Sequence, residues 1–372
     1  MTEFLEAPLA TQPALSGSIE IREATAADNP ALRALTKLTP MDGTISLRID
    51  RDPDFFALPR ARGNSVIFTA RCEGQLIGCI SASVHMAYID GRPEKIAHIN
   101  DLKVHPQFSG RRLAVELMST MEKWLRGQEI DIALSLVADG NRRVMVLAEG
   151  RHGTPKNTEL GNFLVDQLLP TPWLGRSARR FAVQAGPEDL AEVDELLERS
   201  NRERNFSPVI ATGAESRNSL FHKTLIARDG GKVIATITVE DTQNLRQNVL
   251  ISLPPSYRAA LAALRILALP VAKLKVPRLG EPLAILYARR IACAEGHEAA
   301  LRGLLEAARV EAFQRNYSFV SVGLHDRDPL RLIVAGVPRL TFTSHLLAAS
   351  LLSPDRNNLL RNRVPYEDFA LL

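Results

Sequence analysis

Ile99-Asn100-Asp101-Leu102-Lys103-Val104-His105-Pro106-Gln107-Phe108-Ser109-Gly110-Arg111-Arg112-Leu113-Ala114 is the stretch on which the fold turns. Residues 95–104 carry β-forming side chains and predict a strand. Beyond Pro106 and Gly110 the period changes. Leu113, Leu117, Met121 and Trp124 recur at helical spacing, which predicts an amphipathic helix over 110–127. A strand that feeds a tight Gly-containing turn and then a helix leaves the first-turn N–H groups unpaired at the positive end of the helix dipole. Such a turn cradles an anion, a diphosphate included, because little side chain stands in the way. Arg111 and Arg112 add charge there. No Gly-Lys-Ser/Thr follows, so this is not a P-loop, and the chain order around it is not the βαβ unit of a dinucleotide fold.

Working outward, residues 19–22 alternate as a strand, and Asp28, Asn29 and Pro30 open a helix with Leu32, Leu35 and Leu38 on one face. Residues 52–62 are a second helix candidate. Strands over 66–70 and 76–84 are joined at Glu73-Gly74-Gln75. Downstream, 130–137 predicts a strand, 141–149 a short helix and 163–169 a further strand. After Pro170-Thr171-Pro172 and the basic stretch 176–180 the pattern restarts, with a strand over 181–184 and a helix carrying Leu190, Val193 and Leu197. Ala227-Arg228 and Gly231-Lys232-Val233-Ile234 echo Ala70-Arg71 and Gly74-Gln75-Leu76-Ile77 at a constant spacing of 157 residues. A long helix over 297–316 and a strand over 319–324 follow. A repeat of this size implies two copies of one domain. The expected organisation is a flexible leader over 1–18, one domain over 19–170, a linker over 171–179 and a second domain over 180–372. Within the second, 242–280 is an insertion without Asp or Glu that carries Arg246, Arg258, Arg265, Lys273, Lys275 and Arg278, with Tyr257, Leu261, Leu264 and Ala268 as an apolar stripe.

The length, 372 residues, suits two domains of ordinary size. Hydrophobic residues make up 45% and charged residues 24%, which excludes wholesale disorder. The 46 Lys and Arg stand against 42 Asp and Glu, a net charge of +4 with no single-sign blocks. An anionic ligand is allowed, and no specific DNA binding is expected. Cys72, Cys79 and Cys293 sit at no metal-ligand spacing and are too few for a disulfide framework, so neither a metal site nor an oxidising compartment is expected. The first residues carry Glu3 and Glu6 and no Lys or Arg, unlike a signal peptide, and no apolar run reaches the roughly 18–20 residues that cross a bilayer. A cytoplasmic protein is expected.

On its cradle and element order the chain resembles the GNAT superfamily of N-acyltransferases, as a tandem-domain member with a degenerate C-terminal copy. Val104-His105-Pro106 matches the family's lead-in, Ser109 to Ala114 occupies its loop, and Gly110 and Ala114 fit its small-residue positions. Ser109 stands where the family prefers Arg or Gln, and Arg112 where it prefers Gly. The resemblance implies an α+β, mixed α/β fold of two tandem domains, each a mixed, mostly antiparallel sheet flanked by helices. It implies a donor substrate, acetyl-CoA or another acyl-CoA, in a gap between two splayed strands. Backbone near Leu102 and Val104 would bind the pantetheine arm and polarise the thioester. Ser109, Gly110, Arg111, Arg112, Leu113 and Ala114 would hold the diphosphate, and Asn141 would touch the arm. The acyl group passes directly to an amine on a small molecule or peptide, with Asp101 or His98 as base and His85 and Asp90 as weaker candidates. The family's frequent acidic Tyr, seven residues after the Asn, is Ala148 here, and Tyr88 is a distant substitute. In the second half Ala294-Glu295-Gly296-His297-Glu298 places acids where a diphosphate needs amides.

Each candidate has a plainer reading: Asp101 pairs with a neighbouring cation such as Arg71, His98 satisfies a carbonyl, and Phe55 and Phe56 pack inward below a solvated surface. Residues 41–56, with Arg48, Arg51, Asp52 and Asp54, lie where the family binds its acceptor. The insertion reads as a helix packed across the domains with its cations turned outward. It also suits a membrane-surface contact through 254–278, a channel for a long acyl chain, or a transfer-RNA contact. The alternatives to a transferase using a short acyl-CoA are therefore a non-catalytic coenzyme-A-binding protein and a transferase using aminoacyl-transfer RNA or a long-chain donor. A homodimer is also open.

Overall fold

The computed structural model describes residues 18–41, 45–109, 111–150, 153–210, 220–268 and 275–372. In the first half the chain forms Ile19–Glu23 (β1), the helix Asn29–Leu38 (α1), Ser46–Asp50 (β2), the short helix Ala57–Arg62 (α2), Asn64–Cys72 (β3), Gln75–Ile89 (β4), Arg92–Val104 (β5), the helix Arg111–Gly127 (α3), Ile132–Ala138 (β6), the helix Arg142–Ala148 (α4) and Thr158–Leu168 (β7). The second half forms the helix Arg176–Phe181 (α5), Val183–Gln184 (β8), the helix Leu190–Arg202 (α6), Arg204–Asn205 (β9), Phe221–Asp229 (β10), Lys232–Asp241 (β11), Gln247–Ser252 (β12), the helix Pro255–Ala268 (α7), Ile285–Cys293 (β13), the helix Glu298–Gln314 (α8), Phe319–His325 (β14), Arg339–Ser350 (β15) and Val364–Pro365 (β16).

A mixed 12-stranded sheet runs in the order β1-β3-β4-β5-β6-β15-β7-β14-β13-β11-β10-β8. From either edge an antiparallel run leads inward to one parallel pair, β5 with β6 in the first half and β13 with β14 in the second. At the centre the halves exchange strands. β15 lies antiparallel between β6 and β7, and β7 lies antiparallel between β15 and β14. Each half's last long strand thus completes the other half's sheet. A two-stranded sheet of β2 and β12 ties the halves a second time.

The helical spacings carry the core. Leu113, Leu117, Met121 and Leu125 of α3 are buried against Val66, Phe68, Ile77 and Ile80 of β3 and β4, with Trp124 at the margin. Leu301, Leu304, Leu305, Ala308 and Ala312 of α8 pack on β10, β11, β13 and β14 in the same manner. The echoed residues occupy equivalent hairpins. Arg71 donates to the Gly74 carbonyl and pairs with Asp28, and Arg228 donates to the Gly231 carbonyl and pairs with Asp189. Arg71 is therefore engaged at the first hairpin and is not the cation beside Asp101.

Local chemistry shortens two expected elements. The helix expected over 52–62 begins only at Ala57, because a residue preceding Pro53 is disfavoured in helical geometry and Asp54 Oδ1 accepts the Phe56 N–H at 2.9 Å. The strand expected over 181–184 is reduced to β8, and the basic stretch before it is helical, with Ala178 buried and α5 packed along α8. β2 answers to no sequence expectation, since its pattern is only half-buried and its partner lies some 200 positions away.

The strand exchange predicts one cooperative unit. Leu346 on β15 is fully buried among Ile96, Ile132 and Leu134 of β5 and β6. Leu346→Ala is expected to cost about 2–5 kcal/mol. In urea titrations Trp124 fluorescence and far-ultraviolet circular dichroism should shift together, whereas two separated transitions would show that the halves unfold independently.

Candidate active site

The parallel ladder between β5 and β6 is short. It joins Ile96, Ala97 and His98 to Ile132, Ala133 and Leu134 and then stops, although β5 continues to Val104 and β6 to Ala138. The cause lies in β5. Asp101 sits in the left-handed region at φ 51°, and the β4–β5 register shifts between Cys79 and Ser81. A bulge of this kind bends the strand that carries it. Asp101 is held in place by its side chain: Oδ1 accepts from Arg51 Nη2 at 3.0 Å and Oδ2 accepts from Ser81 Oγ at 3.1 Å. The side chains of Arg51 and Asp101 are only 2% and 6% exposed. Burial pulls the carboxyl upward, but Arg51, Lys103 and Arg62 outweigh it and hold Asp101 down at about 2.

Where the strands part, a cavity of about 400 Å³ opens. This is within the range of roughly 300–1,000 Å³ typical of small-molecule sites. Its walls are mostly apolar. Residues 99–103 of β5 and 133–138 of β6 form one end, and Thr341–Ser344 of β15, Val165 of β7, Phe319 of β14 and Ile285 of β13 carry it across the sheet. Leu47 and Ile49 of β2, Leu147 of α4 and Tyr257 of α7 also border it. At about 4.8 Å between neighbouring strands, the span from β5 to β13 is roughly 24 Å.

The residues expected from the sequence divide. Asp101, Leu102 and Asn141 line the cavity. Asn141 caps α4, its Oδ1 accepting the Val144 N–H at 3.4 Å. Val104, Ser109, Arg112, Leu113 and Ala114 lie outside the lining. Val104 pairs with Gly78, and Leu113 is a core residue. Arg112 runs along α3 to Glu116 at 2.8 Å and is 85% exposed, so its guanidinium does not obstruct the gap. Gly110 is outside the described residues, and of Arg111 only the backbone is described.

His98 is buried away from the lining. Its Nδ1 lies 2.7 Å from Asn100 Nδ2 and its Nε2 lies 3.0 Å from Glu367 Oε2. His85 also lies outside the lining, and burial pushes it down to about 4. Asp90 pairs with Arg363 at the far hairpin, and the Tyr88 hydroxyl donates to Glu198. Ala148, in place of the family's Tyr, does border the cavity. Sequence reasoning did not single out Gln167, Arg246, Asn248 and Tyr257 as site residues. Three of these, Arg246, Asn248 and Tyr257, lie in the acid-free insertion, whose composition was the available signal. Arg246 is 3% exposed rather than turned to solvent, and Leu261 packs against Leu250, Leu283 and Tyr287. No helix among the described residues is long and apolar enough to cross a membrane.

The second half has the same kink at Arg290, φ 49°, and its parallel ladder also stops early, at Ala288 and Val322. There the gap is only about 20 Å³, bordered by residues 366–370. Asp368 pairs with Arg289 at 2.5 Å, and Phe369 approaches Gly323 so closely that a Cβ there would stand 2.9 Å from it and 2.6 Å from Phe163. At the start of α8 the Glu298 carboxylate accepts the Gly296 N–H at 3.2 Å, where an incoming phosphate would need that donor.

Residues 32–153 match the family model described as Acetyltransferase (GNAT) family. No curated protein sequence matches the chain. Among solved structures, N-myristoyltransferase from Saccharomyces cerevisiae with bound myristoyl-CoA is similar at 13% identity and a TM-score of 0.58, covering 92% of this chain and 84% of that one. A GCN5-related N-acetyltransferase from Anabaena variabilis is similar at 12% identity and a TM-score of 0.51, covering 90% of this chain and 73% of that one. At these identities the likeness is one of fold.

The Arg51–Asp101 pair has a pH signature. Because the folded value, about 2, lies below the ordinary 3.8, the stabilisation is complete above about pH 4 and fades as the pH falls toward 2. Asp101→Asn leaves Arg51 a buried charge without its partner and is expected to cost about 3–5 kcal/mol near neutral pH. Urea titrations should show the gap between wild type and variant narrowing at about pH 3, and a gap unchanged by acid would contradict the assignment.

Proposed function

We propose, from the premise that residues 32–153 form a domain of the acetyltransferase (GNAT) family, that the protein is an acyl-coenzyme-A-dependent N-acyltransferase. The observation that supports this best is the early end of the β5–β6 ladder, which opens a large cavity beside the strand that leads into α3. In this reading 19–170 is the catalytic copy and 180–372 is a copy whose cleft is filled by its own residues. The donor's diphosphate rests on first-turn amides of α3, a 17-residue helix, around Ser109 to Ala114. Its pantetheine arm lies along Leu102 and Val104, with Asn141 beside it, and a β5 N–H polarises the thioester carbonyl.

The acceptor nitrogen attacks the carbonyl carbon, the C–S bond breaks, and the thiolate leaves. A thiol's ordinary value of about 8.5 means that the thiolate needs only modest acid help. Tyr257 borders the cavity, and in this reading it takes the place of the Tyr missing at Ala148. Asp101, held at about 2, is too weak a base to take an ammonium proton. It orients the amine instead, and the proton goes to water. His98, paired with Glu367 outside the lining, acts through Asn100 at most.

Calorimetric titration with coenzyme A tests the reading, and Ala114→Glu, which sets a carboxylate in the first turn of α3, should abolish binding. Binding without turnover across an amine library would favour a sensor over an enzyme. With an active acceptor, log kcat/KM should rise with pH up to the acceptor amine's own pKa. A plateau near pH 6–7 that vanishes in His98→Gln would restore His98 as base.

A long-chain donor is a second reading, supported by the apolar walls that reach Ile285 and Phe319. Acetyl-CoA needs little of that space. At about 0.8 kcal/mol per buried methylene, affinity should climb roughly fourfold per methylene until the cavity is full. A series of saturated acyl-CoA thioesters measures this, and a flat series assigns the space to the acceptor.

A further inference from the structure

The two halves treat the same backbone gap differently. In the second half the ladder between β13 and β14 ends at Ala288 and Val322, as the β5–β6 ladder ends at His98 and Leu134 in the first. There the chain itself occupies the opening. Arg289, the residue after the last rung, donates from Nε and Nη2 to the Asp368 carboxylate, with contacts of 3.0, 2.9 and 2.5 Å. Its Nη1 donates to Glu240, which is buried. Glu240 alone would neutralise Arg289, so the second carboxylate is not needed to balance the charge. The pair instead fixes Asp368 in the gap. With it comes the short turn Phe369–Leu371, because Asp368 Oδ1 also accepts the Ala370 N–H at 3.3 Å.

The residues on either side of Asp368 reach the first cavity. Glu367 Oε2 stands 3.0 Å from His98 Nε2, and His98 touches Asn100, which lines the cavity. Phe369 borders the cavity directly. Its ring lies 6.3 Å from that of Tyr287 and beneath the Arg246 guanidinium, and its carbonyl accepts from Arg246 Nη1 at 3.3 Å. Consecutive Cα atoms are about 3.8 Å apart, so neither neighbour keeps its place if Asp368 leaves. We propose that the second cleft is the anchor of the first: Arg289 and Asp368 are positioning residues that hold Glu367 and Phe369 at the cavity. The part this plays in acyl transfer rests on the transferase reading. In that reading the donor's contacts come from β5, α3 and α4, whereas Phe369 meets Tyr287 of β13 and Arg246 just before β12. The anchor therefore acts on the acceptor.

Asp368→Asn in the full chain tests this. Asn keeps an oxygen for the Ala370 N–H, and Arg289 keeps Glu240, so no buried charge is stranded. Losing one charge-assisted contact should speed amide hydrogen exchange over residues 366–371 at least about tenfold, and exchange over 98–101 should rise with it. For an amine acceptor kcat/KM should fall at least about tenfold, while coenzyme A affinity stays within about twofold. Tyr317→Phe is the comparison, because it removes a buried 2.8 Å hydrogen bond to Asp241 in the same half and leaves the Arg289–Asp368 pair intact. It should move neither readout. Equal effects in both variants would make Asp368 a general stabiliser and overturn the proposal. Unchanged exchange over 366–371 in Asp368→Asn overturns the anchor. Faster exchange there, with 98–101 and kcat/KM both unchanged, overturns the positioning role. Should the wild type neither bind coenzyme A nor acylate an amine, the transferase reading falls, and exchange over the two segments decides the anchor by itself. Should Asp368→Asn not fold, Arg289→Lys, which keeps the cation but loses the two-pronged contact, is read in the same way.

Discussion

The buried ion pair between Arg51 and Asp101 fixes a left-handed kink in β5, and the cavity depends on that kink. A strand in regular geometry would continue its ladder along β6 and close the sheet. Instead the backbone at Asp101 turns through φ 51°, the pairing ends at His98, and β5 swings away. A non-glycine residue in that region costs about 1–3 kcal/mol and persists only where its surroundings over-determine it. Here Arg51 and Ser81 do so. The same pair explains why Asp101 is ill-suited to remove protons: the contacts that hold the kink also stabilise its ionised form.

The two halves show how much the side chains matter once the backbone is set. The second half repeats the kink with Arg290 in place of Asp101, paired with Asp194 of α6. Its strands also part, yet the gap holds about 20 Å³ where the first holds about 400 Å³. Residues 366–370 account for the difference, held by Asp368 on Arg289. The segment that closes the second gap also serves the first, since Phe369 and Leu372 border the large cavity and Glu367 faces His98. The last residues of the chain therefore link the two clefts.

Strand exchange gives the cavity its extent. β15 is the neighbour of β6 and β7 the neighbour of β14, so the wall that begins at β5 continues unbroken into the second half. β2 and β12, drawn together from the two halves, lie over it. Neither half alone supplies both walls, and Arg51 from one half borders the same cavity as Arg246 from the other only because the halves are joined.

The sequence by itself determined the local elements and the echo between the halves. Helical spacing in α3 and α8, the Gly-containing hairpins and the strand–turn–helix at Pro106 are set by neighbours within a few residues, where period and turn chemistry act directly. The short helix that starts at Asn141 was legible for the same reason. Tertiary structure alone decided which strands exchange, that Asp101 meets Arg51 rather than Arg71, that His98 faces Glu367, and that Arg246 is buried. Each of these depends on partners about 50 to 270 residues apart, brought together by burial of apolar surface that carries no direction of its own. Periodicity reveals which face of an element is hidden, but only the assembled chain fixes what that face is hidden against.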